Sequence, residues 1–223
     1  MTRSVRDTDA VRALQGLADD HPSVRLRAAL AIGTSPDERF IGGLVERCAI
    51  EPDFSVREML TWALTRHSPS LTVPELLREV RSGGAQARSQ ALHTLSKIGD
   101  RRAWSAITPA LLTDADDEVA RSAWRAAVVV VPDGEEPELA AVLSTRLGRG
   151  AREMQLSLSR ALITLGEVIM PALRVAMNDL DPQVRAHALA TERLLRDPDT
   201  GFEFAVEEAK RIVALGGTPG QEG

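Results

Sequence analysis

Tyrosine is absent from this chain of 223 residues, and aromatic residues together make up only 3% of it. So small an aromatic supply argues against a sheet-based core and suits helices packed through Ala, Leu and Val. Cysteine is nearly absent as well. Cys48 stands alone, which excludes an intramolecular disulfide and any cluster of thiolate metal ligands. Lysine is scarce, with 2 Lys against 25 Arg. The cations are therefore almost all guanidinium forks suited to bidentate pairing with carboxylate or phosphate, although a coding bias toward Arg explains the excess most simply. No run of 18 apolar residues occurs, and Met1-Thr2-Arg3-Ser4-Val5-Arg6 lacks the apolar segment of a signal peptide. These absences point to a cytoplasmic protein without a membrane partner. A net charge of −5 counts against broad nucleic-acid binding, which leaves a basic footprint.

What is present is a repeat. An apolar residue, often followed by Arg, opens an Ala/Leu-rich stretch at Val24-Arg25, Val56-Arg57, Ala87-Arg88, Val119, Met154 and Val184-Arg185, at intervals of 32, 31, 32, 35 and 30 residues. A period in this range signals stacked helical units, none able to bury its apolar face alone. Counting each anchor as zero, small or apolar residues recur at +4 and +8: Ala28 and Ile32, Leu60 and Leu64, Ala91 and Leu95, Ala123 and Ala127, Leu158 and Leu162. That spacing predicts a helix with one buried stripe. The last unit keeps Ala188 but places Glu192 at +8. Asp53, Asp116 and Asp181 precede their anchors by three residues, as helix caps do.

The expected architecture is all-α, with about six helical hairpins and a C-terminal capping helix in a single domain over 7–215. The units fall near 7–35, 36–68, 69–99, 100–132, 133–166 and 167–197, with a cap at 198–215 and flexible tails at 1–6 and 216–223. First helices are expected near Thr8–Leu17, Asp37–Ile50, Thr72–Arg81, Ala103–Leu112, Glu136–Leu147 and Val168–Met177.

The run Asp181-Pro182-Gln183-Val184-Arg185-Ala186-His187-Ala188 carries nearly whole the pattern Asp-x-x-Val-Arg-x-x-Ala, and Asp53-x-x-Val56-Arg57 carries its first half. In these residues the chain resembles the HEAT-repeat superfamily, including short bacterial HEAT-like repeats, over roughly Thr8 to Arg196. The resemblance implies a right-handed α-α superhelix. It also implies a non-catalytic scaffold whose concave groove holds a protein or peptide partner, acidic in character, or a small anionic ligand. Some proteins of this superfamily act on DNA bases or attach bilins, so the resemblance admits two alternatives. One is a DNA-binding or DNA-glycosylase-like enzyme, with Trp62 and Glu58 in the base-recognising and carboxylate roles. The other is a bilin-lyase-like or other cofactor-handling protein. Fold alone does not choose between them. Two units depart from the pattern, with Ala120 and Gln155 where Arg is expected.

In such a stack the second helix of each unit lines the groove, with solvent-facing positions near +3, +6 and +10. The +6 column reads Leu30, Trp62, His93, Arg125, Arg160 and Ala190; the +3 column reads Arg27, Met59, Gln90, Ser122, Ser157 and His187; Arg66 and Lys97 stand at +10. Met59, Trp62, Arg66, His93, Arg125 and Arg160 are therefore the candidate partner-binding residues. The competing expectation is that Trp62 packs against a neighbouring unit and the arginines are merely solvated. Trp104 and Trp124 are expected in the core, Cys48 as an inert buried thiol, and His21 and His67 as caps or solvated residues. No phosphate-cradling glycine loop, metal-ligand spacing or nucleophile–base pairing occurs, so no catalytic residue, metal or cofactor is assigned.

Overall fold

The computed structural model describes residues 11–215, and every regular element in that span is helical. The two tails and the start of the first expected helix lie outside the described residues. Residues 11–17 form α1. It is followed by α2 (Pro22–Thr34), α3 (Ile41–Ile50), α4 (Phe54–Thr65), α5 (Pro69–Ser82), α6 (Ala85–Ile98), α7 (Pro109–Leu112) and α8 (Asp117–Val130). Then come α9 (Glu136–Ser144), α10 (Arg152–Thr164), α11 (Met170–Ala176), α12 (Pro182–Arg196) and α13 (Phe202–Ala214). Two compact units result, one ending at Val130 and one beginning at Val131.

The repeat sets the phase of the second helices. Each of α2, α4, α6, α8, α10 and α12 starts two residues before its anchor. In the first unit these helices form one layer, α2 against α4, α4 against α6, and α6 against α8; α3, α5 and a 3-10 turn at Arg101–Ala106 form the other. The stripe is buried at Val56, Leu60 and Leu64, at Ala87, Ala91 and Leu95, and at Val119, Ala123 and Ala127. Trp124 is buried too, its Nε1 donating to the Leu112 carbonyl at 2.8 Å. In α2 the stripe is weaker, since Val24 and Ala28 are only half-buried.

Two first helices differ from expectation through proline. The fourth, expected as one helix over Ala103–Leu112, is the 3-10 turn Arg101–Ala106 followed by the single turn α7. Pro109 has no N–H to continue a helix and instead occupies its first turn, capped by Thr108. The third begins at Pro69, three residues before the expected Thr72, and carries Pro74 within it.

In three units, arginine at +1 ties the preceding loop to the helix that follows. Arg25 donates to the carbonyls of Asp19 and Asp20, Arg57 to those of Glu51 and Pro52, and Arg185 to those of Asp179 and Leu180. Two of these arginines' equivalents also reach the next unit's loop: Arg25 forks onto Glu51 at 2.7 Å, and Arg88 meets Asp114 at 2.8 Å. Glu51 is fully buried and accepts from Arg47 as well. Burial alone would raise the Glu51 pKa, but hydrogen bonds from Arg25, the Asp53 N–H and Arg47 hold it at about 2.

The second unit pairs α9 with α10 and α11 with α12, and α13 covers α12 with Phe202, Ala205, Val206 and Ala209. At its centre lies His187, expected in the solvent-facing column but buried here. Its Nδ1 accepts from the Gly148 N–H at 3.0 Å, which fixes the proton on Nε2; that proton faces the Gln155 carbonyl and Ser159 Oγ. Ser159 bonds Thr191, which donates to the His187 carbonyl. Burial, with Arg152 adding to it, pushes the His187 pKa down to about 4, against the hydrogen bond to Gln155.

Two outcomes follow. Glu51→Ala leaves Arg25 buried without its partner and lowers the unfolding free energy by about 3–5 kcal/mol in urea denaturation, whereas Arg25→Met with Glu51→Leu loses much less. The folded His187 resists protonation that the unfolded chain accepts, so its stabilisation is complete above about pH 6.5 and fades as pH falls toward 4. A loss of about 3 kcal/mol across that window, absent in His187→Gln, is the expected result.

Candidate functional site

On α4, Glu58, Trp62 and Arg66 are spaced four residues apart and share a face, with Met59 one turn before Trp62. His93 and Lys97 hold the matching positions on α6, and Arg121 and Arg125 on α8. The helices are keyed together beneath this face. Thr61 at +5 bridges Thr94 at +7 through their hydroxyls at 3.3 Å, in the buried layer directly behind Trp62 and His93. The second unit repeats the device with Ser159 at +5 and Thr191 at +7.

Trp62 is both packed and exposed. A Cβ on Gly33 of α2 would fall 2.3 Å from Trp62 Cζ3, so the indole lies directly on that glycine. Its remaining surface is 38% exposed. One ring thus packs against a neighbouring hairpin and leaves part of its surface open. Leu30, one position-equivalent away on α2, is exposed as well.

Beyond the indole the face turns polar. His93 Nε2 lies 3.3 Å from Glu58 Oε1, an ion-pair distance without hydrogen-bond alignment. Desolvation lowers the His93 pKa from its usual value; Glu58 opposes this, and Arg125 and Lys97 reinforce it. Arg125 is half-buried, and desolvation together with Arg121 makes its guanidinium easier to deprotonate than usual. Arg121 pairs with Glu118 at 2.9 Å, whereas Arg125 makes no ion pair within the described residues. Three buried polar atoms near this face, Gln90 Oε1, His93 Nε2 and Arg121 Nε, have no hydrogen-bond partner there. Buried polar atoms without partners are uncommon in folded proteins.

The structure therefore gathers Met59, Trp62, His93 and Arg125 on adjacent helices of the first unit, with Arg66 exposed at the end of α4. Arg160 belongs to the second unit, where it is exposed on α10. The +3 column is less open than expected: Ser122 and His187 are buried, as is Ala190 at +6. His67, expected as a cap or solvated, is buried with Nδ1 donating to the Ala63 carbonyl at 2.8 Å. Cys48 is buried and its thiol pKa is pushed up to about 12, as an inert thiol requires. Glu58 is the member that column counting overlooks. It stands at +2, yet a spacing of four from Trp62 was the signal that it shares the face. No cluster of three or more metal-ligating side chains occurs among the described residues, and no single helix there is long and apolar enough to cross a membrane. A separate cleft of about 620 Å³ lies in the second unit, lined in part by Leu147, Arg149, Val175 and Asp179.

Gly33→Ala forces the indole off α2. The expected result is a shifted Trp62 indole N–H resonance with that of Trp124 unmoved, and a stability loss of about 1–3 kcal/mol.

Comparison with known proteins gives a consistent but narrow result. The family model of HEAT repeats matches residues 41–127, the stretch that holds α3 to most of α8. No curated protein matches the sequence. Among solved structures, the crystal structure of an engineered protein is similar at 19% identity, covering 90% of this chain and 97% of its own, with a TM-score of 0.46.

Proposed function

We propose, on the premise that this chain is a HEAT-repeat protein, that it is a non-catalytic scaffold holding a protein or peptide partner on the second-helix face of its first unit. HEAT repeats commonly serve as protein-interaction scaffolds. The observation that carries the reading is Trp62: a large aromatic ring packed on Gly33 with part of its surface open, on the face whose next two helices present half-buried His93 and Arg125. A rigid, partly exposed aromatic on a face that also carries a guanidinium is a common composition of an interface hot spot. Ordering such a ring beforehand reduces the entropy lost on binding.

The test is a random 12-residue peptide library panned on the full chain and counter-screened on Trp62→Ala with Arg125→Glu. The reading expects peptides whose dissociation constants weaken at least tenfold on the double variant, with its helical circular dichroism and melting temperature close to the parent. Peptides that bind both proteins equally place recognition elsewhere.

A further inference from the structure

The cluster around His93 contains an acid where a cation-lined binding face would be expected to have none. Glu58 is the one carboxylate against His93, and its side chain is 46% exposed while that of His93 is 14% exposed. The acid is thus the exposed partner, free to leave toward solvent, and the imidazole the enclosed one. Its contact with His93 has ion-pair distance but poor alignment, and it leaves Nε2 without a hydrogen bond. Arg125 is half-buried and has no ion pair of its own among the described residues. Desolvated charges normally recruit a partner, because an unpaired one is costly. The unsatisfied atoms are of both kinds: Arg121 Nε–H offers a donor, and Gln90 Oε1 offers an acceptor.

Resting on the surface proposed above, we propose that Glu58 is an internal stand-in for an acidic side chain of the partner. When an extended peptide lies across α4, α6 and α8, its Asp or Glu takes Arg125 and the His93 imidazole, and Glu58 swings out to solvent. An apolar residue of the same peptide covers Trp62 and Leu30. Gln90, whose Oε1 is buried and unpartnered in the free chain, turns its amide outward to accept a peptide backbone N–H. This combination favours a peptide over a bare anion, because an inorganic anion has nothing to cover the indole. The chain's net charge of −5 weighs against duplex nucleic acid at the same face. Glu58 also makes the face selective: a weakly held acid is displaced only by a ligand that brings a carboxylate and further contacts, so neutral peptides gain nothing from the cations.

The proposal carries a proton signature. The charged groups facing His93 are Glu58 on α4, Lys97 on α6 itself and Arg125 on α8, with Glu118 and Arg121 flanking Arg125. Burial, Arg125 and Lys97 keep His93 below its usual pKa in the free protein. The arriving carboxylate takes the place of Glu58, whose misaligned contact leaves Nε2 without a hydrogen bond; by hydrogen-bonding Nε2 it favours the imidazolium more than Glu58 does, so binding takes up a proton and tightens as pH falls from 8 to 6.

The experiment uses the peptides selected by panning, each with its Asp or Glu replaced in turn by Asn or Gln, measured by calorimetry on the full chain. At least one acid-to-amide replacement is expected to weaken binding tenfold or more on the parent protein. Arg125→Gln is expected to erase most of that difference. Glu58→Gln is expected to tighten the acidic peptide three- to tenfold while leaving its amide version unchanged. His93→Gln is expected to remove the proton uptake, seen as loss of the dependence of binding heat on buffer ionisation. Glu58 is exposed and its contact with His93 is poorly aligned, so Glu58→Gln remains informative if Arg125→Gln folds poorly. Peptides that need Trp62 but bind regardless of their acids overturn the stand-in role and leave the surface intact. Peptides insensitive to Trp62 overturn the surface as well. Competition by millimolar inorganic phosphate alone, or salt-dependent binding of duplex DNA blocked by Arg125→Gln, overturns the peptide as the occupant.

Discussion

A stripe of Val, Leu and Ala one residue wide on each second helix has to be covered by the neighbouring hairpin, and nearly everything else in this molecule follows from how that cover is held in register. The stripe itself is non-directional and would tolerate sliding. The directional parts are polar. Arginine at +1 fastens the preceding loop by its carbonyls, and at Arg25 and Arg88 it extends to an acid of the next loop. Hydroxyl bridges between +5 and +7 fix one second helix against the next. Glu51 sits fully buried where these demands meet, accepting from two guanidinium groups and a backbone N–H. An ion cluster of that kind is costly to bury and costly to break, so it selects one register more than it adds stability.

Once the register is fixed, the positions six residues after the first four anchors become a surface whose composition is free to differ from helix to helix. Leu30, Trp62, His93 and Arg125 pass from apolar to cationic across four adjacent helices of the first unit. The packing that supports them is conservative, small residues and threonines, while the surface itself holds strained electrostatics: a half-buried guanidinium, an imidazole kept neutral, and an acid poorly aligned with it. Such tension is characteristic of sites that await a partner, because the structure supplies charges that its own side chains do not fully satisfy.

Much of this was legible in the residues. The anchor interval and the +4 and +8 stripe located six second helices with a constant two-residue offset, because helix periodicity and burial are set locally. Pro109 was visible, but whether it would start a helix or interrupt one depended on the turn before it. His187 was misread as solvent-facing because burial of a histidine depends on partners 28 and 39 residues away, Ser159 and Gly148, which no local pattern reveals. Trp62 was singled out as a candidate, yet the sequence could not tell that Gly33 makes its packed seat. Glu58 entered only under the glycosylase-like alternative; counting columns at +3 and +6 left it out of the partner-binding set, although its four-residue spacing from Trp62 put it on the same face.

The central claim is that recognition takes place on the face formed by α4, α6 and α8. The most direct measurement is NMR shift mapping on the isotope-labelled protein as a panned peptide is added. The account predicts that the largest changes fall on Glu58, Met59, Trp62, His93 and Arg125, including the Trp62 indole and the His93 ring. Changes centred instead on the cleft beside Val175 in the second unit, with these residues unmoved, would contradict it.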